Sequence, residues 1–266
     1  ATTDELRFLA RCIGQEKESK GDDKLTESFD RGLRHILMAK YPTGGWPQLF
    51  PPGKGYHRHI TFNDDSMVRI MEFLREVNTS KQYSFLAPAD REAAGHAFGK
   101  GIECILRCQI IVSGKPTVWC AQHDEIDLRP RDGRSFELAS FSGSESVGIT
   151  RLLMSLENPD EHVVAAVEGA VAWFEAEKIT GLRAERHRTD DGGMELIMEK
   201  DAGAPPLWGR FHDLKTGGPF FCERDGVPRP SITDLAPENR ASYAWYGTWA
   251  ASLLEKDYPG WKARLK

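Results

Sequence analysis

A mainly helical fold is predicted for this chain: an (α/α) toroid-like helical barrel with long loops and a small β-hairpin region. Three observations predict it. Apolar residues recur at helical spacing through most of the 266 residues. Three long connections, 41–62, 113–143 and 201–236, are rich in Gly, Pro, Trp and charge, and loops well beyond the usual length of about 4–6 residues tend to carry function. Only one stretch reads as a pair of strands. Helix pairs alternating with such loops suggest a toroid with its loops gathered at one end; no tandem repeat of fixed period is visible.

In chain order, Glu5 to Gln15 places Leu6, Leu9, Ala10 and Ile13 on one face, and Leu25 to Ala39 repeats this through Phe29, Leu33, Ile36 and Leu37. Ser66 to Val77 does the same with Met67, Ile70, Met71 and Leu74. Ala89 to Val112 predicts one long helix fronted by Pro88-Ala89-Asp90, since proline and an acid both suit a first turn. Helices follow over Ser144 to Leu156 and Glu161 to Ile179, with a last one over Glu238 to Leu254. In "LRAERHRTDDGGMELIMEK", Asp191-Gly192-Gly193 supplies the turn between two strand-like runs.

Composition narrows the function. Charged residues make up 28% and hydrophobic ones 40%, which argues against disorder and suits one globular domain, 1–266. A net charge of −5 without a Lys/Arg block gives no reason to expect nucleic acid. No apolar run reaches the roughly 18 residues of a membrane span. The opening "ATTDELRFLARCIGQEKESK" has no basic region leading into an apolar one, so no signal peptide is expected in this chain. Arginine outnumbers lysine among the 35 basic residues, a weak pointer to an anionic ligand. Cys12, Cys104, Cys108, Cys120 and Cys222 form no zinc pattern, and Cys104 and Cys108 share a helix face unsuited to a disulfide. Buried reduced thiols are the expectation.

Several clusters could carry chemistry. In "YHRHITFNDDSMVRIMEFL", Asn63-Asp64-Asp65 precedes a helical stretch. These residues suit a helix cap, and their hard oxygens equally suit Ca²⁺. His57 and His59 would share a strand face, yet two ligands without a third make a weak transition-metal site. Arg129, Arg131 and Arg134 precede "SFSGSES", where Ser142 or Ser144 looks like an N-cap beside which a carboxylate could settle. In "PPLWGRFHDLKTGGPFFCERDGVPRP", Trp208, Phe211, Phe220 and Phe221 alternate with Arg210, Lys215, Arg224 and Arg229. That mixture suits a ligand with apolar ring faces and peripheral carboxylates, such as a sugar-acid polymer, and it equally suits core aromatics with surface arginines. Gly44-Gly45-Trp46 presents a further aromatic, and Tyr243, Trp245, Tyr246 and Trp249 would lie on the last helix. Asp124, Glu125 and Asp127 are acids of a kind paired-carboxylate hydrolysis uses, with no pair singled out.

Four blocks, "YPTGGWPQLFPPGKGYHRHITFNDDSMV", "RSFELASFSGSESVGITRLLM", "LWGRFHDLKTGGPFFCERDGV" and "NRASYAWYGTW", together resemble the pectate lyases of polysaccharide lyase family ten, in order and over nearly the whole chain. The resemblance implies calcium-dependent β-elimination on polygalacturonate (pectate), giving unsaturated oligogalacturonides, by a secreted monomer with no nucleic-acid or membrane partner. By position, Arg134 matches the arginine that removes the C5 proton, and Arg210 and Arg224 match arginines that bind uronate carboxylates. Trp46, Trp208 and Arg229 are expected as further substrate contacts. One of Asp64 and Asp65 matches the calcium aspartate, with Asp64 preferred. Similar enzymes carry Asp-Asn-x-Ala-Thr where the first helix begins, and Ala1-Thr2 stand where that stretch ends. Its aspartate would sit just upstream and is not in this chain, so either the domain 1–266 is truncated at its N-terminus or this homologue lacks the segment, and a catalytically impaired uronide-binding homologue is the alternative. As a base, Arg134 needs a lowered pKa, which neighbouring cations are expected to supply.

Overall fold

The computed structural model describes residues 2–15, 23–190 and 192–265; Ala1 and Asp191, named above, lie outside them. Helices come in sequential pairs. α1 (Thr2–Gln15) packs on α2 (Asp23–Ala39), α3 (Ser66–Thr79) on α4 (Pro88–Cys108), and α5 (Glu145–Met154) on α6 (Glu161–Ala176). The pairs then touch in two rows, α1–α3–α5 and α2–α4–α6. Each predicted stripe faces this interface. Phe29 and Leu33 of α2, Met67, Met71 and Leu74 of α3, and Ile149, Leu152 and Leu153 of α5 are all buried. Withdrawing each such side chain from water stabilises the fold by about 1.5–3 kcal/mol. Pro88 opens α4, and the Asp160 carboxylate accepts from Val163 N at 2.9 Å to cap α6.

Two segments depart from the predicted helices. α4 ends at Cys108, because Ser113 and Gly114 both take positive φ and fold 111–112 back onto 115–116. The last predicted helix, Glu238 to Leu254, breaks into a short α7 (Pro237–Ser242), an extended stretch, a π-helical turn (Leu253–Asp257) and α8 (Tyr258–Arg264). In the extended stretch, Tyr246-Gly247 pairs with Trp208-Gly209. Trp245 is buried there against Phe211 and Phe221. A helix would have spread those aromatics round a cylinder; the strand puts them into a second, smaller core with Ile232 and Leu235.

The strands form short antiparallel ribbons, with no closed barrel among the described residues. The predicted hairpin is the longest, Leu182–Arg188 against Met194–Lys200, with Glu185 opposite Ile197. Shorter ribbons tie the long loops together. Ile60-Thr61 pairs with Gln122-His123, which pairs with Pro130-Arg131, while Phe141-Ser142 pairs with Phe211-His212. All five cysteines are free, and all but Cys12 are buried. No helix among the described residues is long and apolar enough to cross a membrane.

Gly44 anchors the loop that enters the site. Its φ is 101°, and a Cβ there would collide with the Lys100 carbonyl oxygen. Gly44→Ala therefore combines backbone strain with overpacking, a loss of about 2 kcal/mol. A thermal melt should show Tm lowered by roughly 4–8 °C for a chain of this size.

Candidate active site

Asn63, Asp64 and Asp65 do not cap α3 with their side chains. Asp64 (φ 53°) and Asp65 (φ 57°) both stand in the left-handed region, and no side-chain cap bond is made. Asx residues tolerate that region better than most, yet two in succession store of order 1 kcal/mol each. The turn is held by the Ser66 hydroxyl donating to Asn63 O at 2.7 Å and by Asn63 Nδ2 donating to Asp64 Oδ2 at 2.9 Å. The two acids consequently diverge. The Asp64 side chain is 78% exposed, whereas Asp65 is half-buried against Gly148 of α5, where a Cβ would collide with its carboxylate. Burial pushes the Asp65 carboxyl above its usual range, opposed by Arg69 and more weakly by Arg151 and Arg210.

Arg210 approaches Asp64 at 3.8 Å and makes a short ion pair with Glu145, the first residue of α5. Its backbone is pinned on both sides: Arg210 N donates to Trp245 O, and Gly143 N donates to Arg210 O. Glu145 is 3% exposed; Ser144 holds the N-cap position without a side-chain cap bond, and the Ser142 hydroxyl instead accepts from Glu145 N at 3.1 Å and donates to the Glu145 carboxylate. Burial pushes Glu145 up, while Arg210 and Ser142 hold it down. The guanidinium loses solvation too, yet Glu145 keeps its pKa raised.

Arg134 lies on the loop after Pro130-Arg131. One of its terminal nitrogens donates to Glu137 at 2.6 Å and its backbone N–H donates to the same carboxylate at 3.0 Å. The guanidinium lies over Phe136 at 4.7 Å and near Tyr243 at 5.8 Å, and the Tyr243 hydroxyl donates to Glu137 at 2.8 Å. The hydrogen bond to Glu137 raises the Arg134 pKa. In the protein by itself the strongest neighbour is thus a buried acid, which acts against the lowering expected of neighbouring cations. Burial disfavours ionised Glu137, but the bonds from Arg134 and Tyr243 outweigh it and leave its pKa lowered.

These groups line connected cavities. A cleft of about 710 Å³ is bordered by Tyr56, Arg134, Arg224, Tyr243 and Trp245. A 110 Å³ pocket shares Tyr56 and Arg134 with it and adds Asn63, Asp64 and Glu137. A 350 Å³ pocket then shares Asp64 and adds Asp65, Arg69, Glu145 and Arg210. The resulting groove runs from Arg224 past Arg134 to Asp64 and Arg210. Arg224 is exposed and makes no ion pair among the described residues. Such a row of cations around one open carboxylate suits a polyanion.

Other expected contacts lie elsewhere. Trp46 is 1% exposed with its N–H donating to Ile36 O, and Trp208 is fully buried with its N–H donating to Phe174 O. Both rings fill the main core, with Trp46 also bordering a 420 Å³ cavity that reaches Asp64. Arg229 pairs with Asp225 at 2.7 Å and closes the turn before it, and it does not border the groove. Tyr56–Arg58 form a 3₁₀ turn, so His57 and His59 share no strand face. His59 instead meets Glu125 at 3.1 Å beside Asp124, and Arg58 and Arg131 neutralise those acids. Sequence reasoning missed Glu137, Glu145 and Tyr243. The spacing Arg134-x-x-Glu137 was a local signal for the first; the other two depend on strand pairing.

Carboxylate and amide oxygens on three consecutive residues are the hard donors Ca²⁺ takes. Asp64 is open to the groove, and Asp65, although turned against α5, still borders the same pocket, so Asp64 fits that cation as one ligand with most of the shell left to water or ligand oxygens.

The comparisons place this chain in a class of carbohydrate-active enzyme, the polysaccharide lyases. The whole architecture resembles the solved family 10 polysaccharide lyase from Cellvibrio cellulosa, with a TM-score of 0.86, 31% identity, and coverage of 98% of this chain and 80% of that one. A mutant of that lyase, solved in complex with trigalacturonic acid, gives a TM-score of 0.85 and 31% identity over 97% of this chain and 79% of the other. No curated protein matches the chain. The family model for pectic acid lyase matches residues 1–254, and the chain belongs to that family.

Removing the acid behind Arg210 should be costly. Glu145→Ala leaves a nearly buried guanidinium without its partner, and losses of about 3–5 kcal/mol follow from breaking such pairs. Urea denaturation should show the midpoint falling accordingly with little change in slope.

Proposed function

We propose that this lyase cleaves polygalacturonate by calcium-dependent β-elimination, as a secreted monomer whose 266 residues act as one catalytic unit. The observation that carries this reading is the groove that runs from Arg224 past Arg134 to the exposed carboxylate of Asp64 and to Arg210. The ligand in the related lyase complex is itself a uronate oligomer. We read the two rows of paired helices as part of an α/α toroid, with the loops of the groove at one end.

The reaction removes the proton on C5 of a uronate unit, breaks the C4–O bond and leaves a C4–C5 double bond. The leaving oxygen takes up a proton. Arg224 and Arg210 bind uronate carboxylates, fixing the chain along the groove. Charge developing on the carboxylate next to C5 is stabilised by guanidinium groups already held in place, without reorganisation during the reaction. Arg134 accepts the C5 proton, and to do so it must first be neutral. Held by Asp64, with Asp65 and Asn63 nearby, bound Ca²⁺ would withdraw charge from that carboxylate as a Lewis acid. A uronide-binding homologue without turnover is the second reading, favoured by Glu137 stabilising charged Arg134.

The sign of the pH dependence follows from the Arg134–Glu137 contact. A raised pKa keeps Arg134 protonated at neutral pH, so the competent neutral form grows as pH rises. The rate of unsaturated-product formation, followed by ultraviolet absorbance on polygalacturonate, should climb through the alkaline range and collapse with EDTA. A maximum in the acid range, indifferent to chelator, would count against the mechanism. Arg134→Lys keeps the charge but loses the planar fork, and turnover should fall by about 100-fold or more with trigalacturonate binding retained. Normal turnover in Arg134→Ala would remove it as the base. Binding by the wild type without any absorbance growth would establish the second reading.

A further inference from the structure

The aromatic stretch after α7 has one polar feature that packing does not explain. Tyr243 stacks with Phe211 (6.0 Å, 12° between planes) and meets Phe136 and Trp245 edge-on. A phenylalanine would satisfy all of those contacts. The hydroxyl has one acceptor, the Glu137 carboxylate at 2.8 Å. The same carboxylate is 4% exposed and takes both the side chain and the backbone N–H of Arg134. The face of the Tyr243 ring meets two guanidiniums, Arg210 at 5.1 Å and Arg134 at 5.8 Å. One ring and one buried acid thus sit between the two arginines on which the proposed chemistry depends.

Bringing two guanidiniums to one ring is unfavourable unless counter-charge lies behind them. Glu137 supplies it for Arg134 and Glu145 for Arg210. Both acids are buried behind their arginines, and the half-exposed Arg134 guanidinium keeps N–H groups that Glu137 does not use. Ring quadrupole attraction from Tyr243 adds to this and favours both guanidiniums beside its ring.

We propose that Glu137 and Tyr243 are a pair of positioning residues for this lyase, holding the Arg134 guanidinium at a fixed offset from that of Arg210. A uronate carboxylate on Arg210 then presents its neighbouring C5 hydrogen to Arg134. The inference rests on the lyase reading above. It assigns the pair no contact with the reacting atoms: they act through Arg134, and misplacement of a reacting group by about 1 Å can cost around 100-fold in rate.

The test uses the full chain and polygalacturonate, measuring kcat and KM separately together with Tm. Tyr243→Phe keeps the ring and removes the bond to Glu137; kcat should fall about 3–10-fold with KM within about two-fold and Tm nearly unchanged. Glu137→Gln should move the alkaline rise in rate to lower pH, because the charge that keeps Arg134 protonated is gone, yet lower the kcat reached in the alkaline range about 10–100-fold with KM little moved, and Glu137→Asp should recover part of that loss. The double variant should be no worse than Glu137→Gln alone, because both substitutions disable one device. A merely structural role would lower Tm and leave kcat of the folded fraction intact, which overturns the proposal. So does an active wild type with Tyr243→Phe and Glu137→Gln equal to it, and so do fully additive losses. Should Glu137→Gln fail to fold, Tyr243→Phe alone decides. A wild type that gives no unsaturated product overturns the lyase reading and this inference with it.

Discussion

Two carboxylates buried behind two arginines organise this molecule's functional end. Glu145 starts α5 and faces Arg210; Glu137 closes the loop of Arg134. A buried acid is unfavourable without a partner, and so is a desolvated guanidinium. Each pair therefore fixes two chain segments distant in sequence or direction. Glu145 ties the helix rows to the strand that carries Arg210, and Glu137 ties the 130s loop to the aromatic stretch through Tyr243. Replacing such pairs with well-packed apolar residues is often neutral or stabilising, but it would remove the two oriented forks offered to a polyanion.

The acid turn before α3 follows the same logic by different means. Its two aspartates take an unfavourable backbone conformation and thereby separate, one into the groove and one against α5. Local strain is tolerated because the packing of α3 on α4 and the ribbon at Ile60-Thr61 determine the path on either side. The glycine at 148 is what admits Asp65 so close to the helix.

The amino-acid pattern was most informative where periodicity was long. The first three helices follow their apolar stripes, because those stripes are the faces that pack. It was least informative where aromatics were dense. Tyr243, Trp245, Tyr246 and Trp249 fit a helix as well as a strand, and only the pairing of Tyr246-Gly247 with Trp208-Gly209 decides between them. Trp46 and Trp208 show the related difficulty: an indole between glycines and arginines reads as a sugar platform until its N–H is found bonded to a helix carbonyl inside the core. Asp64, Arg134, Arg210 and Arg224 were legible as residues, and the structure brings them to one groove. The acids that set the arginines were not, since Glu145 reads simply as a first-turn acid and its partner is 65 positions away.

The cysteines have a consequence of a different sort. None is cross-linked, and desolvation leads the rise in thiol pKa at Cys120 and Cys222, so reactive thiolate is scarce in those places. The fold's cohesion then owes nothing to oxidation. Glutathione should neither loosen nor tighten it, and the same native packing is accessible to the chain in a reducing compartment and in an oxidising one.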